Sequence, residues 1–222
     1  MIVLNNYEAL TFDCYGTMID WETGVLNAIC PVLSNHNIQI TNEQIFKAFG
    51  EIENEVEADE YIKYREVLRR VVQKMGDRFN FTPTPTEIDA LANSLPNWQP
   101  FADTIEALKV LKQKFKLAVI SNVDNDLFAE TAKHLQVEFD YIITAEQVKS
   151  YKPNRNNFYV AFDRMGLPKE KILHVAASVY HDIVTAKALG MTAVWVNRRG
   201  VKQDSGADLE VTNLKTLAAM LN

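Results

Sequence analysis

The chain has 222 residues, 47% of them apolar and 23% charged, which suits one domain with a sizeable insertion or two small domains. A formal net charge of -6 argues against a nucleic-acid or anionic-membrane partner, because both select basic patches. Cys14 and Cys30 are the two cysteines, too few for a disulfide framework or a zinc site, and no apolar run approaches the roughly 18 residues of a membrane span.

The first segment, "MIVLNNYEAL", has neither a basic start nor a long apolar run, so it does not read as a signal peptide and a cytoplasmic protein is expected. "YEALTF" (7 to 12) is apolar and β-rich and reads as a strand. It runs straight into "DCYGT", which puts a carboxylate, Asp13, where a buried strand should be ending. By strand alternation Cys14 points to the opposite side and belongs to the core.

From about 20 to 98 no comparable strand occurs. "WETGVLNAICPVLSNH", "TNEQIFKAFGEIENEVEADEYIKYREVLRRVVQKM" and "PTEIDALANSL" read as helices, with turn signals at Gly76 and at "TPTP" (82 to 85). The acid run "EIENEVEADE" (51 to 60) is expected to be a solvated helix face. Trp21 opens the insert, where it could shield a site or pack.

The chain returns near Phe101, and strands alternate with helices from there on. "KLAVIS" (116 to 121) precedes "DLFAETAKHL", for which Asp124 and Asp126 read as a cap and a first-turn acid. "YIIT" (141 to 144) precedes "NNFYVAFDRMG", and "KILHVAA" (171 to 177) precedes "YHDIVTAKALG". "TAVWV" (192 to 196) is the last apolar run of this kind, and Gly166 and Gly190 stand where helix C-caps are wanted. This alternation predicts an α/β fold with a parallel sheet covered on both faces.

Ligands of open parallel sheets bind outside the carboxyl ends of the strands. Those ends carry Asp13, Tyr15, Gly16 and Thr17, then Ser121 and Asn122, then Lys152 in "SYKPN", then Ser178 and Asp182 in "AASVYHD". Two carboxylates, a lysine, several hydroxyls and an amide gather at one edge. Asp182 also suits a helix N-cap. His174 and His181 lack metal-ligand company and are expected to be structural, and Arg198 and Arg199 are expected in an exposed loop.

In that order, "FDCYGT", "ISN", "YKP" and "HVAASVYHD" resemble the four motifs of the haloacid dehalogenase superfamily of aspartate-nucleophile hydrolases. The resemblance implies a Rossmann-like parallel-sheet core (1 to 19 and 99 to 222) with an inserted helical cap (20 to 98). Phosphatases of that superfamily carry further acids that hold Mg²⁺; here Tyr15, Ala176 and Ala177 stand at those positions. The wording D-x-Y-G-T instead resembles the type II, L-2-haloacid dehalogenase-like branch. By that resemblance Asp13 attacks carbon and forms an ester, and Lys152 keeps Asp13 ionised. Asp182 orients Lys152 or the hydrolytic water, and Thr17 and Ser121 hold carboxylate oxygens. Tyr15, Asn122, Ser178 and Arg65 face a small carboxylic-acid substrate, with Arg65 chosen over Arg69 and Arg70 as the cap arginine. No metal and no cofactor are implied, and a homodimer is allowed. "ALTFDCYGTMIDWETG", "SYKPN" and "SVYHD" also resemble a branch that opens the C–N ring of azetidine-2-carboxylate. A Mg-dependent phosphatase and a non-catalytic binding protein remain as alternatives.

Overall fold

The computed structural model describes residues 2–221. Its centre is an all-parallel sheet of β1 (Ala9–Phe12), β2 (Lys116–Ser121), β3 (Tyr141–Thr144), β4 (Ile172–Ala176), β5 (Thr192–Val196) and β6 (Leu209–Val211). The spatial order is β3-β2-β1-β4-β5-β6. The chain therefore moves outward from β1 in one direction and resumes on its other side with β4. The switch point lies at the carboxyl end of β1, between β2 and β4, where such sheets leave a crevice. Four of the five predicted strands lie within a residue of the observed ones at each end, and the first is two residues shorter at its start. β6 was not foreseen: "LEV" is three residues long and half exposed, too short to show a period.

Alternation sends β1 side chains to two different apolar clusters. Leu10, Phe12 and Cys14 join one that continues through Leu117, Val119, Leu173 and Val175 into the inserted helices. Ala9 joins the other, with Ala118, Ile120, Ile172, Ala176 and Trp195.

Between β1 and β2 stand α1 (Trp21–Asn35), α2 (Asn42–Glu57), α3 (Tyr64–Phe79), α4 (Pro85–Ile88), α5 (Ala90–Ser94) and α6 (Thr104–Lys112). Local capping chemistry begins several of them. Asp20 caps α1, and Thr41 with Gln44 and Thr84 with Glu87 form capping boxes on α2 and α4. The stretch from 41 to 75, read as one continuous helical pattern, is broken between Glu57 and Tyr64. Gly76, read as a break, lies inside α3, which ends at Asn80 with φ 60°. A Cβ on Gly76 would sit 2.6 Å from the Phe81 carbonyl oxygen and 2.8 Å from Pro83, so this glycine admits the returning chain.

The start of α3 has no side-chain cap of its own. Its first amides are capped from across the molecule: Asp124 accepts from Tyr64 N and Arg65 N, both at 2.9 Å. Asp124 was expected to cap the helix that follows it, α7 (Asn125–Leu135), but makes no side-chain cap bond there. It is buried, and the Tyr151 hydroxyl adds a bond to the Ile62 carbonyl at 2.7 Å. The insert is thus tied to the loop after β2.

The remaining helices are α8 (Ala145–Val148), α9 (Asn156–Met165), α10 (Val184–Ala188) and α11 (Leu214–Ala219), with a π-helical turn over Val179–Ile183 leading into α10. No helix among the described residues is long and apolar enough to cross a membrane.

Replacing Asp124 with alanine leaves two helix-start amides unpaired, one buried and one half-buried. The expected loss is roughly 1–3 kcal/mol of unfolding free energy in urea titration, with Asp124→Asn losing less.

Candidate active site

The tight turn after β1 aims the first carboxylate. Thr17 N and Met18 N both donate to the Cys14 carbonyl, at 3.2 and 2.8 Å, folding the chain back beneath Asp13. Gly16 adopts φ 91°, and a Cβ there would meet the Trp21 ring at 2.8 Å, so only glycine fits without displacing the ring. The Thr17 hydroxyl accepts from Ala177 N at 2.8 Å and donates to Asp13 Oδ2 at 2.7 Å. Its rotor is fixed by having one partner on each side.

Lys152 completes the centre. It is 1% exposed, and its Nζ donates to Asp13 Oδ1 at 2.9 Å and to Asp182 Oδ1 at 2.6 Å. Burial alone would lower the lysine pKa, but the Asp13 and Asp182 carboxylates outweigh it and hold the ammonium well above its ordinary value. Burial likewise opposes charge on Asp182, yet Lys152 and the His174 hydrogen bond bring its pKa down to about 2. His174 Nε2 lies 3.1 Å from Asp182 Oδ1 and its Nδ1 lies 2.9 Å from Thr11 Oγ1. A buried polar chain therefore runs from Thr11 through His174, Asp182 and Lys152 to Asp13 and Thr17.

These groups floor a cavity of about 410 Å³. Trp21, Phe49, Tyr64 and Trp98 form an aromatic wall around it, so Trp21 both packs on Phe46 and Phe49 and screens the site. Tyr15, Ser121, Asn122 and Ser178 line the cavity, as the sequence suggested, but their polar atoms are differently engaged. The Tyr15 hydroxyl pairs with Thr131 at 2.8 Å. Ser121 Oγ, expected to hold a carboxylate oxygen, is fully buried and has no partner. Asn122 clamps Lys152: its Oδ1 accepts from Lys152 N at 2.7 Å, and its Nδ2 donates to Lys152 O at 3.0 Å and to Glu57 Oε2 at 3.1 Å. Ser178, not Asp182, is the N-cap of the π-helical turn, accepting from His181 N at 3.1 Å.

Arg65 requires correction. It does not line the cavity; its guanidinium pairs with Asp126 at 2.8 Å. Asp126, taken as a first-turn acid, is the reason. Arg198 and Arg199 lie in a turn as expected, and Arg199 is exposed, but Arg198 is half-buried and both also line the cavity. Arg198 pairs with Asp103 at 2.9 Å, lies over Phe101 and donates to the Thr17 carbonyl at 2.8 Å; Arg199 pairs with Glu22.

The acid run was also misread in part. Phe49, Glu53 and Glu57 stand at i, i+4 and i+8 on α2, and all three face the cavity. The apolar residue on the same stripe was the available signal. The Tyr64 hydroxyl donates to Glu53 at 2.6 Å. Burial raises the Glu53 pKa to about 7, against the Tyr64 hydrogen bond and aided by Asp13. Burial and Glu53 push Glu57 up as well. His181, expected to be structural, also lines the cavity and bonds Asn54 Oδ1 at 2.9 Å; burial lowers its pKa.

A magnesium ion of the phosphatase kind does not fit these residues. Beside Asp13 and Asp182, the neighbouring positions offer the methyl groups of Ala176 and Ala177 and a Tyr15 hydroxyl that is already paired with Thr131, not further carboxylates. No cluster of three or more His, Cys, Asp or Glu side chains with metal-site geometry occurs among the described residues.

Glu53 gives a pH prediction. Its pKa is raised on folding from 4.5 to about 7, so the folded state binds this proton more tightly. Stability is full at low pH and falls as the pH rises through that window. Glu53→Gln should match the parent in acid and exceed it above neutrality by on the order of 2 kcal/mol in urea titrations.

The sequence and fold have known relatives. The family model described as haloacid dehalogenase-like hydrolase matches residues 10–196. An (S)-2-haloacid dehalogenase of Pseudomonas fluorescens is 26% identical, over 99% of this chain and 97% of that protein. A glyceraldehyde 3-phosphate phosphatase of Methanothermobacter thermautotrophicus is 28% identical, over 86% and 85%. The L-2-haloacid dehalogenase of Xanthobacter autotrophicus superposes with a TM-score of 0.81 at 18% identity, covering 97% of this chain and 98% of that one, which shows the shared fold. Sequence match and architecture agree, and the chain belongs to the haloacid dehalogenase-like hydrolases.

Proposed function

We propose that the protein displaces a leaving group from the α-carbon of a small carboxylic acid through an ester on Asp13, in the manner of a 2-haloacid dehalogenase. The observation that carries this reading is the pairing of Asp13. One oxygen accepts from a buried ammonium and the other from a hydroxyl, at the floor of an aromatic-walled cavity.

Asp13 attacks the carbon. The new C–O bond forms as the bond to the leaving group breaks, and that electron pair departs with the group. Lys152 and Thr17 fix the carboxylate, so little orientational freedom is lost on the way to the transition state. Water then adds to the Asp13 carbonyl carbon, which frees a hydroxy acid and restores the carboxylate. Asp182 lines the cavity and its Oδ2 is buried with no partner, so it is suited to accept from that water. The vacant Ser121 hydroxyl is suited to donate to the substrate's carboxylate.

The family also contains phosphatases, and charge weighs against that chemistry here. A phosphate dianion at the floor would face the Asp13 and Asp182 carboxylates with one ammonium between them. Each like-charge pair at about 4 Å costs roughly 4 kcal/mol at an effective dielectric of 20.

Single turnover of 2-chloropropionate in ¹⁸O-water, with chelator present, should place label in the Asp13 side chain and release chloride. Product without label in that peptide, or magnesium-stimulated cleavage of p-nitrophenyl phosphate in its place, overturns the reading. Thr17→Val should lower kcat by roughly ten- to a hundredfold with a smaller change in KM, since it frees one oxygen of the attacking group.

A further inference from the structure

Three glycines lie inside helices of the insert, and packing accounts for two of them. A Cβ on Gly24 in α1 would sit 2.4 Å from the Trp98 ring, and Gly76 in α3 admits the returning chain. Gly50 is different. It stands in the middle of α2 without a left-handed backbone, and a Cβ there would have no atom within 4 Å beyond its chain neighbours and its own helix backbone. Every other glycine among the described residues has either a close contact or a positive φ. A glycine kept to bend the chain or to admit a neighbour would show one of the two. Glycine inside a helix also weakens it relative to alanine, so the fold loses by this choice.

What Gly50 does have is a place in the wall of the main cavity. Phe46 stands one turn before it on α2 and Phe49 directly precedes it, and both rings pack against Trp21, with centroids 5.4 and 5.5 Å apart. Asn54, one turn further on, is engaged by His181 at 2.9 Å. The space that the missing side chain leaves therefore adjoins an apolar surface, from which an alkyl chain would displace water. The whole cavity, at about 410 Å³, falls in the range of about 300–1,000 Å³ typical of pockets for drug-sized ligands, which leaves room beyond a three-carbon acid.

Resting on the aspartyl-ester reading above, we infer that Gly50 is a specificity residue: its absent side chain leaves room for an alkyl chain on the substrate's α-carbon, so that the site takes 2-substituted acids longer than three carbons. The reacting carbon of such an acid sits over Asp13, and its chain runs along Trp21 and Phe49 toward α2. Gly50 touches no reacting atom in this arrangement. It sets which chains enter, and the ester chemistry stays with Asp13.

The test is a pair of hydroxy acids that resemble products, 2-hydroxypropanoate and 2-hydroxyhexanoate, titrated calorimetrically into the parent protein and into Gly50→Ala and Gly50→Leu. The parent should bind the six-carbon acid at least roughly tenfold more tightly, a modest return for burying three further methylenes. Gly50→Leu should remove most of that difference by filling the space, with a smaller change for the short acid. Gly50→Ala should raise the urea midpoint, because the helix gains without a clash. Equal affinities, tighter binding of the short acid, no binding of 2-hydroxyhexanoate at millimolar concentration, or a preference that survives Gly50→Leu overturns the proposal. So does a lowered midpoint in Gly50→Ala, or a Gly50→Leu chain that circular dichroism shows to be unfolded, since either makes the glycine a requirement of the fold. The readouts are binding and stability, which do not depend on turnover. An ¹⁸O label on Asp13 without chain-length preference removes this inference alone, and chain-length preference without label removes the ester reading alone.

Discussion

The buried ammonium of Lys152, held between Asp13 and Asp182, is the constraint around which the site is organised. A lone ion at 1% exposure would be costly, and a single partner would compensate only part of that. Two carboxylates, with His174 and Thr17 satisfying further lone pairs, make the charge tolerable. The same arrangement leaves one net negative charge at the switch point of the sheet. In the proposed reaction that charge belongs to the carboxylate that attacks carbon. It is poorly suited to approach a dianion.

The sheet separates two tasks by alternation. One face of β1 feeds Leu10, Phe12 and Cys14 into the apolar cluster that reaches the inserted helices. The other carries Thr11 and Asp13 into the buried polar chain. A slip of one residue in register would exchange the two, placing the carboxylate in hydrocarbon. Neighbours on both sides, β2 and β4, fix that register through consecutive parallel pairs.

Much of this was legible in the amino-acid order. The strands β2, β3 and β5 were readable because each is a compact apolar run, and the strand-end residues Asp13, Thr17 and Asp182 because their types are conspicuous there. The failures share a physical cause. The gap between α2 and α3 was invisible because the group that begins α3, Asp124, lies about sixty positions away in the chain. Arg65 was assigned to the site as the cap arginine the family resemblance implies, yet Asp126 draws it outward. Glu53 and Glu57 were assigned to solvent by the same reasoning about charge, and the stripe they share with Phe49 turns them inward. Local pattern predicts an element; the partner that decides a side chain's direction is usually remote.

The last residue of β2 and the three that follow it have four different duties. Ser121 offers a vacant hydroxyl, Asn122 grips the main chain of Lys152, Val123 is buried in the apolar cluster, and Asp124 holds the start of α3. This tetrapeptide links the helical layer to the ammonium. Displacement of α3 would reach Lys152 through the Asp124 carboxylate, the main chain between them and the Asn122 amide, so a change on the outer surface of the insert can alter the setting of the lysine without altering any residue that lines the cavity.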